Sequence, residues 1–223
     1  MSDMGEDLLE AQLAGLALTP GRPIVVSDAD EVLFAFMAGF ESYLQSQSFR
    51  FHWDSYALLG NIRRAADGVA VDRPEVQRLL AEFFVARTEH LAPIPGAAEG
   101  LAALARRAQV VILSNVPHGQ REARVKALTS NGMAYPLIAN QGSKGRAVRA
   151  LAERVNAPVL FIDDIPNQHT SVREAVADAF CLHFVGEPRL ARLLPPADAS
   201  DHRADTWAEA LPVLEARLDA LGY

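Results

Sequence analysis

Two acids spaced one residue apart, Asp28 and Asp30, follow directly on an apolar run within residues 23–32, PIVVSDADEV. Two later apolar runs stop on polar pairs in the same way. VVILSN ends on Ser114 and Asn115, and VLFIDD ends on Asp163 and Asp164. An Asp or Ser after a strand commonly caps the next helix, and each pair taken singly allows that reading. Repetition at three run ends points instead to one shared cleft. Carboxylates crowded into a cleft repel and raise one another's pKa unless a cation lies between them. With oxygen ligands only, the ion that fits is Mg2+, which takes one or two carboxylates, a carbonyl and waters and leaves positions for phosphate oxygens. Lys144, in QGSKG at the start of a helical pattern, gains nothing from the positive end of a helix dipole; it is either a solvated surface lysine or the counter-charge for an anionic substrate. Gly142 and Gly145 on either side would let backbone and ammonium approach that anion closely.

The elements that must position these residues can be read from periodicity. Ile24, Val25 and Val26 are β-branched with no polar interruption, the signature of a strand buried on both faces of a parallel sheet. Asp28 then sits at the carboxyl end of that strand, the edge where open α/β sheets bind ligands. Leu8, Leu9, Leu13 and Leu16 recur at helical spacing, predicting an amphipathic helix over the first eighteen residues, ended by TPGRP. Residues 33–92 show no strand-like run and carry aromatics and leucines at helical intervals through FAFMAGFESYL, DSYALLGNI and PEVQRLLAEFFVARTEHL. They predict a helical insertion closed by the PIPG turn at residues 93–96. Beyond it, helices over GLAALARRA, 120–130, 144–155, 167–177 and 206–221 alternate with strands over VVILSN, 137–139, VLFID and 180–185, with Trp207 in the core. Such alternation predicts an α/β fold, a doubly wound parallel sheet with helices on both faces.

Composition narrows the function classes. The chain has 223 residues, half of them apolar, enough for a domain with an insertion. A net charge of −7 with no Lys/Arg run argues against a nucleic-acid partner. Cys181 is the only cysteine, which excludes an intrachain disulfide and a Cys-based zinc site and fits a reducing compartment. The acidic start MSDMGEDLLE is unlike a signal peptide, and no stretch approaches the roughly 20 apolar residues of a membrane span. The expectation is a cytoplasmic protein with no membrane partner.

In order along the chain, DADEV, LSN, QGSKG and FIDD resemble the four motifs of the haloacid dehalogenase superfamily, and specifically its phosphatase branch. The resemblance covers about residues 22–190. It implies a Rossmann-like sheet with the first strand central and the second and fourth beside it, and a mobile cap inserted after the first strand. Residues 1–32 and 93–223 would form the core domain and 33–92 the cap. It further implies Asp28 as nucleophile and Asp30 as general acid and base, with Ser114, Asn115 and Lys144 binding the phosphoryl group. Asp28, Asp30 through its carbonyl, and Asp164 would hold Mg2+, with Asp163 beside them. Two departures from the family pattern bear on loop geometry: Glu31 stands where Gly is often found, and Gly145 where Pro commonly follows the lysine.

The reaction so implied is Mg2+-dependent hydrolysis of a small phosphorylated metabolite through an aspartyl-phosphate. A dehalogenase on the same fold would need neither the Asp30 acid nor the metal acids. A phosphomutase, which passes the same intermediate to a sugar, stays open, as does a catalytically silent phosphate-binding relative. A signalling receiver domain also joins paired acids, Ser or Thr, Lys and Mg2+ on a parallel sheet, but its motif order differs and it carries no insertion of this length. Phe34, His52, Trp53, Tyr56, Arg63 and Arg64 in the insertion are candidates to reach over the cleft, and His118 and His169 to line its entrance. Aromatics at helical spacing are more often bundle core than specificity residues.

Overall fold

A computed structural model describes residues 2–223, with side chains from Leu8 onward. The run Ile24–Ser27 is strand β1, buried along its whole length. Its neighbours in the sheet are β4 (Gln109–Ser114) and β6 (Val159–Asp163). Outside them lie β5 (Leu137–Ala139), β7 (Phe180–Phe184) and β8 (His202–Ala204), in the order β5-β4-β1-β6-β7-β8 with every pairing parallel. The carboxyl ends of β1, β4 and β6 therefore lie side by side, which is the placement expected from the motifs.

Alternate residues of these strands feed two apolar layers. Val25, Ile112 and Leu160 pack with α4 (Ala97–Ala105), α5 (Arg121–Ser130) and α9 (Trp207–Ala220). Ile24, Val26, Val111 and Phe161 pack with α1 (Ser2–Ala14), α6 (Gly145–Val155) and α7 (Pro166–Ala175). A strand that must bury both faces has no polar alternation, hence the continuous Ile-Val-Val. The open edge at β5 is covered by Gln12 of α1. Its amide donates to the Ala139 carbonyl at 3.0 Å and accepts the Ala139 N–H at 2.8 Å, as a neighbouring strand would. Among the described residues, no helix is long and apolar enough to cross a membrane.

Between β1 and α4 the chain departs from the all-helical expectation. Helices α2 (Phe36–Ser46) and α3 (Arg73–Arg87) are present, but β2 (Phe49–Phe51) and β3 (Ile62–Arg64) form an antiparallel hairpin between them. DSYALLGNI, expected as helix, is a loop with a three-residue strand at its end. Asn61 fixes that loop by donating to the Ser55 and Ala57 carbonyls at 2.8 and 2.7 Å, a local side-chain bond that competes with helix formation. Two further elements lacked a sequence signal: the short helix α8 (Pro188–Leu193), and β8, whose three residues His-Arg-Ala carry no strand pattern.

Trp207 ties α9 to the loop that follows the first motif. It is buried and donates its indole N–H to the Val32 carbonyl at 2.8 Å. Its ring lies against Gly100 of α4, where an added Cβ would stand 2.3 Å from a ring carbon. Gly100→Ala should therefore destabilise the protein by about 1–3 kcal/mol, the usual cost of overpacking, lowering the urea midpoint. Gly119→Ala, where a Cβ meets nothing within 4 Å, should not lower it; equal midpoints for the two variants would show that the Trp207 ring yields without cost.

Candidate active site

The ends of β1 and β6 bring Asp28 and Asp163 to either side of Lys144. The ammonium Nζ lies 2.7 Å from Asp28 Oδ1 and hydrogen-bonds to Asp163 Oδ2 at 2.6 Å, with all three side chains buried. Lys144 occupies the N-cap of α6, and its backbone N–H is taken by Gln168 Oε1 at 2.8 Å. Lys144 is thus not a solvated surface lysine, and the anions beside it are a carboxylate pair from the protein itself. Gly145 makes the approach feasible: a Cβ there would stand 2.3 Å from the Ser171 carbonyl oxygen, so only glycine lets α6 start so close to α7. Its N–H also donates to Ser171 Oγ at 3.0 Å, a bond that proline could not make.

Asp164, half-buried, completes a cluster in which Asp28, Asp163 and Asp164 each offer an oxygen within 4.8 Å of the others. Burial raises the Asp28 pKa to about 6, with Lys144 opposing and Asp163 adding to the rise. Burial also raises Asp164 well above the usual carboxylate range, and the charges of Asp163 and Asp28 add to it. For Lys144, burial works against the charge, but Asp163 and Asp28 outweigh it and raise its pKa. Asp163 is fully engaged, its Oδ1 accepting the Ile165 N–H at 2.9 Å. Asp28 Oδ1, by contrast, is buried with the lysine charge near it but no aligned hydrogen bond. An under-bonded buried carboxylate oxygen beside the accessible Asp164, in an all-oxygen donor set, fits a hard divalent cation such as Mg2+.

Asp30 is half-buried and paired with a residue that the motifs did not point to. Arg124 of α5, with no exposed surface, donates to Asp30 Oδ1 at 2.6 Å, while its guanidinium stands 5.1 Å from the Phe34 ring centroid. The signal was present: Arg124 shares one helical face with the buried Ala127 and Leu128. Burial raises the Asp30 pKa, and Arg124 opposes the rise. The next residue, Glu31, adopts φ 60°, a left-handed turn that glycine makes freely. Glu31 keeps the bend despite its side chain, accepting the Met37 N–H on its carboxylate at the start of α2. Burial pushes its carboxyl up to about 7, and the Met37 N–H moderates the rise.

Ser114 and Asn115 end β4 as expected, but their side chains are mostly committed to the protein. Ser114 Oγ accepts the Val116 N–H at 3.3 Å. Asn115 donates to the Gly142 carbonyl at 2.9 Å and accepts from Asn140 at 2.8 Å, fixing the loop that carries Lys144. His169 is not a solvated entrance residue: it is fully buried, with Nε2 at 2.9 Å from the Asp163 carbonyl. His183 of β7, not singled out from sequence, makes the matching 2.9 Å contact to the Asp164 carbonyl while its Nδ1 accepts the Ala197 N–H. Burial lowers both imidazoles to about 4, so both are neutral and act as fixed donors under the acid pair.

A cavity of about 350 Å³ opens over these groups and includes Asp28, Asp30, Lys144 and Asp164 in its lining. Of the insertion residues expected to reach over the cleft, Tyr56 lines it. Phe34 is core, His52 and Arg64 are exposed, and Arg63 faces Asp54 at 3.7 Å. Trp53 instead lies under Arg189, whose guanidinium stands 4.0 Å from its ring. A larger open groove, about 890 Å³, runs past Asn156, Pro158 and Asp178 at the amino-terminal end of β6 and β7. It is at the wrong end of the sheet for the loops that diverge after the strands.

No family model matches the sequence, and no curated protein does. Solved structures do match. A haloacid dehalogenase-like protein of Agrobacterium tumefaciens superposes with a TM-score of 0.63 at 13% identity, over 88% of this chain and 99% of that one. A haloacid dehalogenase-like hydrolase of Deinococcus radiodurans, solved with phosphate and sodium bound, gives 0.58 at 20% identity, over 90% and 98%. A beta-phosphoglucomutase-like protein of Thermotoga maritima gives 0.58 at 15% identity, over 87% and 99%. The sheet order around β1 and these superpositions agree: the fold of this chain is similar to that of the haloacid dehalogenase-like proteins.

Proposed function

We propose that this chain hydrolyses a small phosphate monoester, with Mg2+, through an aspartyl-phosphate on Asp28. The observation that carries this reading is the cluster of Asp28, Asp163 and Asp164 around a single buried lysine at the tips of β1 and β6. The fold alone does not choose, since proteins described as a phosphoglucomutase and a haloacid dehalogenase share it. The metal acids and Asp30 favour phosphoryl chemistry over attack on a carbon–halogen bond.

In this scheme Asp28 attacks phosphorus in line and the ester oxygen leaves with a proton from Asp30. Burial, by raising the Asp30 pKa against the pull of Arg124, favours the protonated form that an acid needs. Arg124 holds that carboxyl in place. Asp30, now ionised, then takes a proton from the water that attacks the phosphoenzyme. Lys144 lies beside Asp28 to neutralise phosphoryl oxygens as charge shifts. Ser114 spends its acceptor on the Val116 N–H and keeps its hydroxyl hydrogen to donate. Asp28, the Asp30 carbonyl and Asp164 would hold Mg2+, which supplies charge neutralisation for the phosphate; Asp163, tied to Lys144 and Ile165, orients the lysine instead.

Hydrolysis of p-nitrophenyl phosphate should vanish on chelation and return with added Mg2+. Undiminished turnover after metal removal is verified would sink the mechanism. Asp30→Asn separates the two half-reactions, because nitrophenolate leaves without much acid assistance. The variant should release a burst close to one equivalent of enzyme, then turn over about 10²- to 10⁴-fold more slowly. The burst should coincide with a hydroxylamine-labile phosphate on Asp28, and Asp28→Asn should show neither. Turnover of Asp30→Asn within a few-fold of the parent would reduce Asp30 to a structural residue.

A further inference from the structure

The cavity above the carboxylates is chemically divided, and the division specifies what the phosphate can be attached to. Its charged groups, Asp28, Asp30, Glu31, Lys144 and Asp164, are residues of the sheet ends and the loops that follow them, with Asn115 beside them. The remaining wall is apolar from both sides. Phe36, Leu58, Leu80 and Phe84 come from the insertion, and Leu190 and Leu194 from α8 and the residue after it. Tyr56 stands at the mouth, 60% exposed, and its hydroxyl is the only side-chain polar atom on that side of the described lining.

Lys144 is the only cation in the described lining, and two nearby arginines are committed elsewhere. Arg189 pairs with Glu41 at 2.8 Å and Glu187 at 2.9 Å, and Arg64 with Asp67 at 2.9 Å. A second phosphate or a carboxylate on the substrate would thus meet no free positive charge in the lining, and would face the excess of acids at the other pole. A sugar or polyol would give up water for carbon surface. Each hydroxyl buried without a partner costs about tenfold in binding or more.

Resting on the phosphatase reading above, we propose that the substrate is the phosphate monoester of a small, uncharged, apolar alcohol or phenol, its hydrocarbon part held between α3 and α8. The about 350 Å³ of the cavity lies at the small end of ligand sites. The leaving group is therefore of fragment size, not a lipid chain or a nucleotide.

The test is phosphate release with Mg2+ from n-propyl, n-butyl, n-pentyl and n-hexyl phosphate, whose leaving groups differ little in basicity and mainly in apolar surface. kcat/KM should rise about fourfold per added methylene until the cavity is full, the rate equivalent of burying one CH₂. Glycerol 1-phosphate and glucose 6-phosphate should fall at least about tenfold below n-butyl phosphate. Leu80→Gln should flatten the series, and Leu194→Ala should move its peak to a longer chain. A flat or falling alkyl series, or preference for the polyol esters, overturns the substrate class and leaves the phosphatase reading standing. Release from none of these esters or from p-nitrophenyl phosphate overturns both.

Discussion

The site depends on one buried ammonium. Lys144 has almost no solvent to stabilise its charge, so its position is determined by Asp28 and Asp163, which it bridges from the start of α6. Such an arrangement costs desolvation for every member, and removing one partner leaves a buried charge uncompensated, a loss of about 3–5 kcal/mol in comparable pairs. The fold meets that cost with geometry. β1 and β6 are adjacent and in register, with Val26 opposite Phe161 and Ser27 opposite Ile162, so the residues after them emerge as neighbours. Even so, three carboxylates meet one lysine: burial is the main cause that raises Asp28 and Asp164, the neighbouring acids add to the rise, and a bound cation would offset both.

Support beneath the acids has the same logic. His169 and His183 lie edge to face, 5.3 Å between centroids, each beside the backbone carbonyl of one acid of the pair. As neutral donors they satisfy those carbonyls without adding positive charge that would compete with a metal. Arg124 does add charge, but it pairs with Asp30 and lies near the Phe34 ring, where it holds the Asp30 carboxyl without entering the cluster of Asp28, Asp163 and Asp164. Distinct partners for Asp30 and Asp28 allow two acids two residues apart to carry different roles.

Insertion and core share one continuous apolar cluster, from Phe40 and Phe83 through Leu33 and Ile94 to Leu101 and Trp207. Polar contacts also join them, Lys126 of α5 to Glu89 at 3.6 Å and Arg189 to Glu41 at 2.8 Å. Arg189 reaches from α8 to Glu41 on α2 and lies over Trp53, whose indole N–H also donates to Glu41 at 3.1 Å. Because α8 also provides an apolar wall of the cavity, the same short helix both fastens the insertion and shapes the space beneath it.

The strands that carry the candidate site residues were legible because burial on both faces leaves an uninterrupted apolar run, and a run that stops on Asp-Ala-Asp, Ser-Asn or Asp-Asp marks its own carboxyl end. The family resemblance carried by these motifs then implied β1 at the centre, which the sheet has. Local pattern could not foresee the β2–β3 hairpin, since strands of three residues gain their stability from a partner rather than from periodicity. Nor could it separate Asp163 from Asp164. Adjacent residues of one strand end point to opposite sides, and only packing shows that Asp163 faces Lys144 while Asp164 remains accessible. The pairing of Arg124 with Asp30 spans 94 residues, and the burial of His169 depends on β6 and β7 beneath it. Sequence by itself determined which residues could do chemistry and on which edge of the sheet they lie. Which of them are already spent on one another, and how apolar the space above them is, were decided by tertiary contacts between segments far apart in the chain.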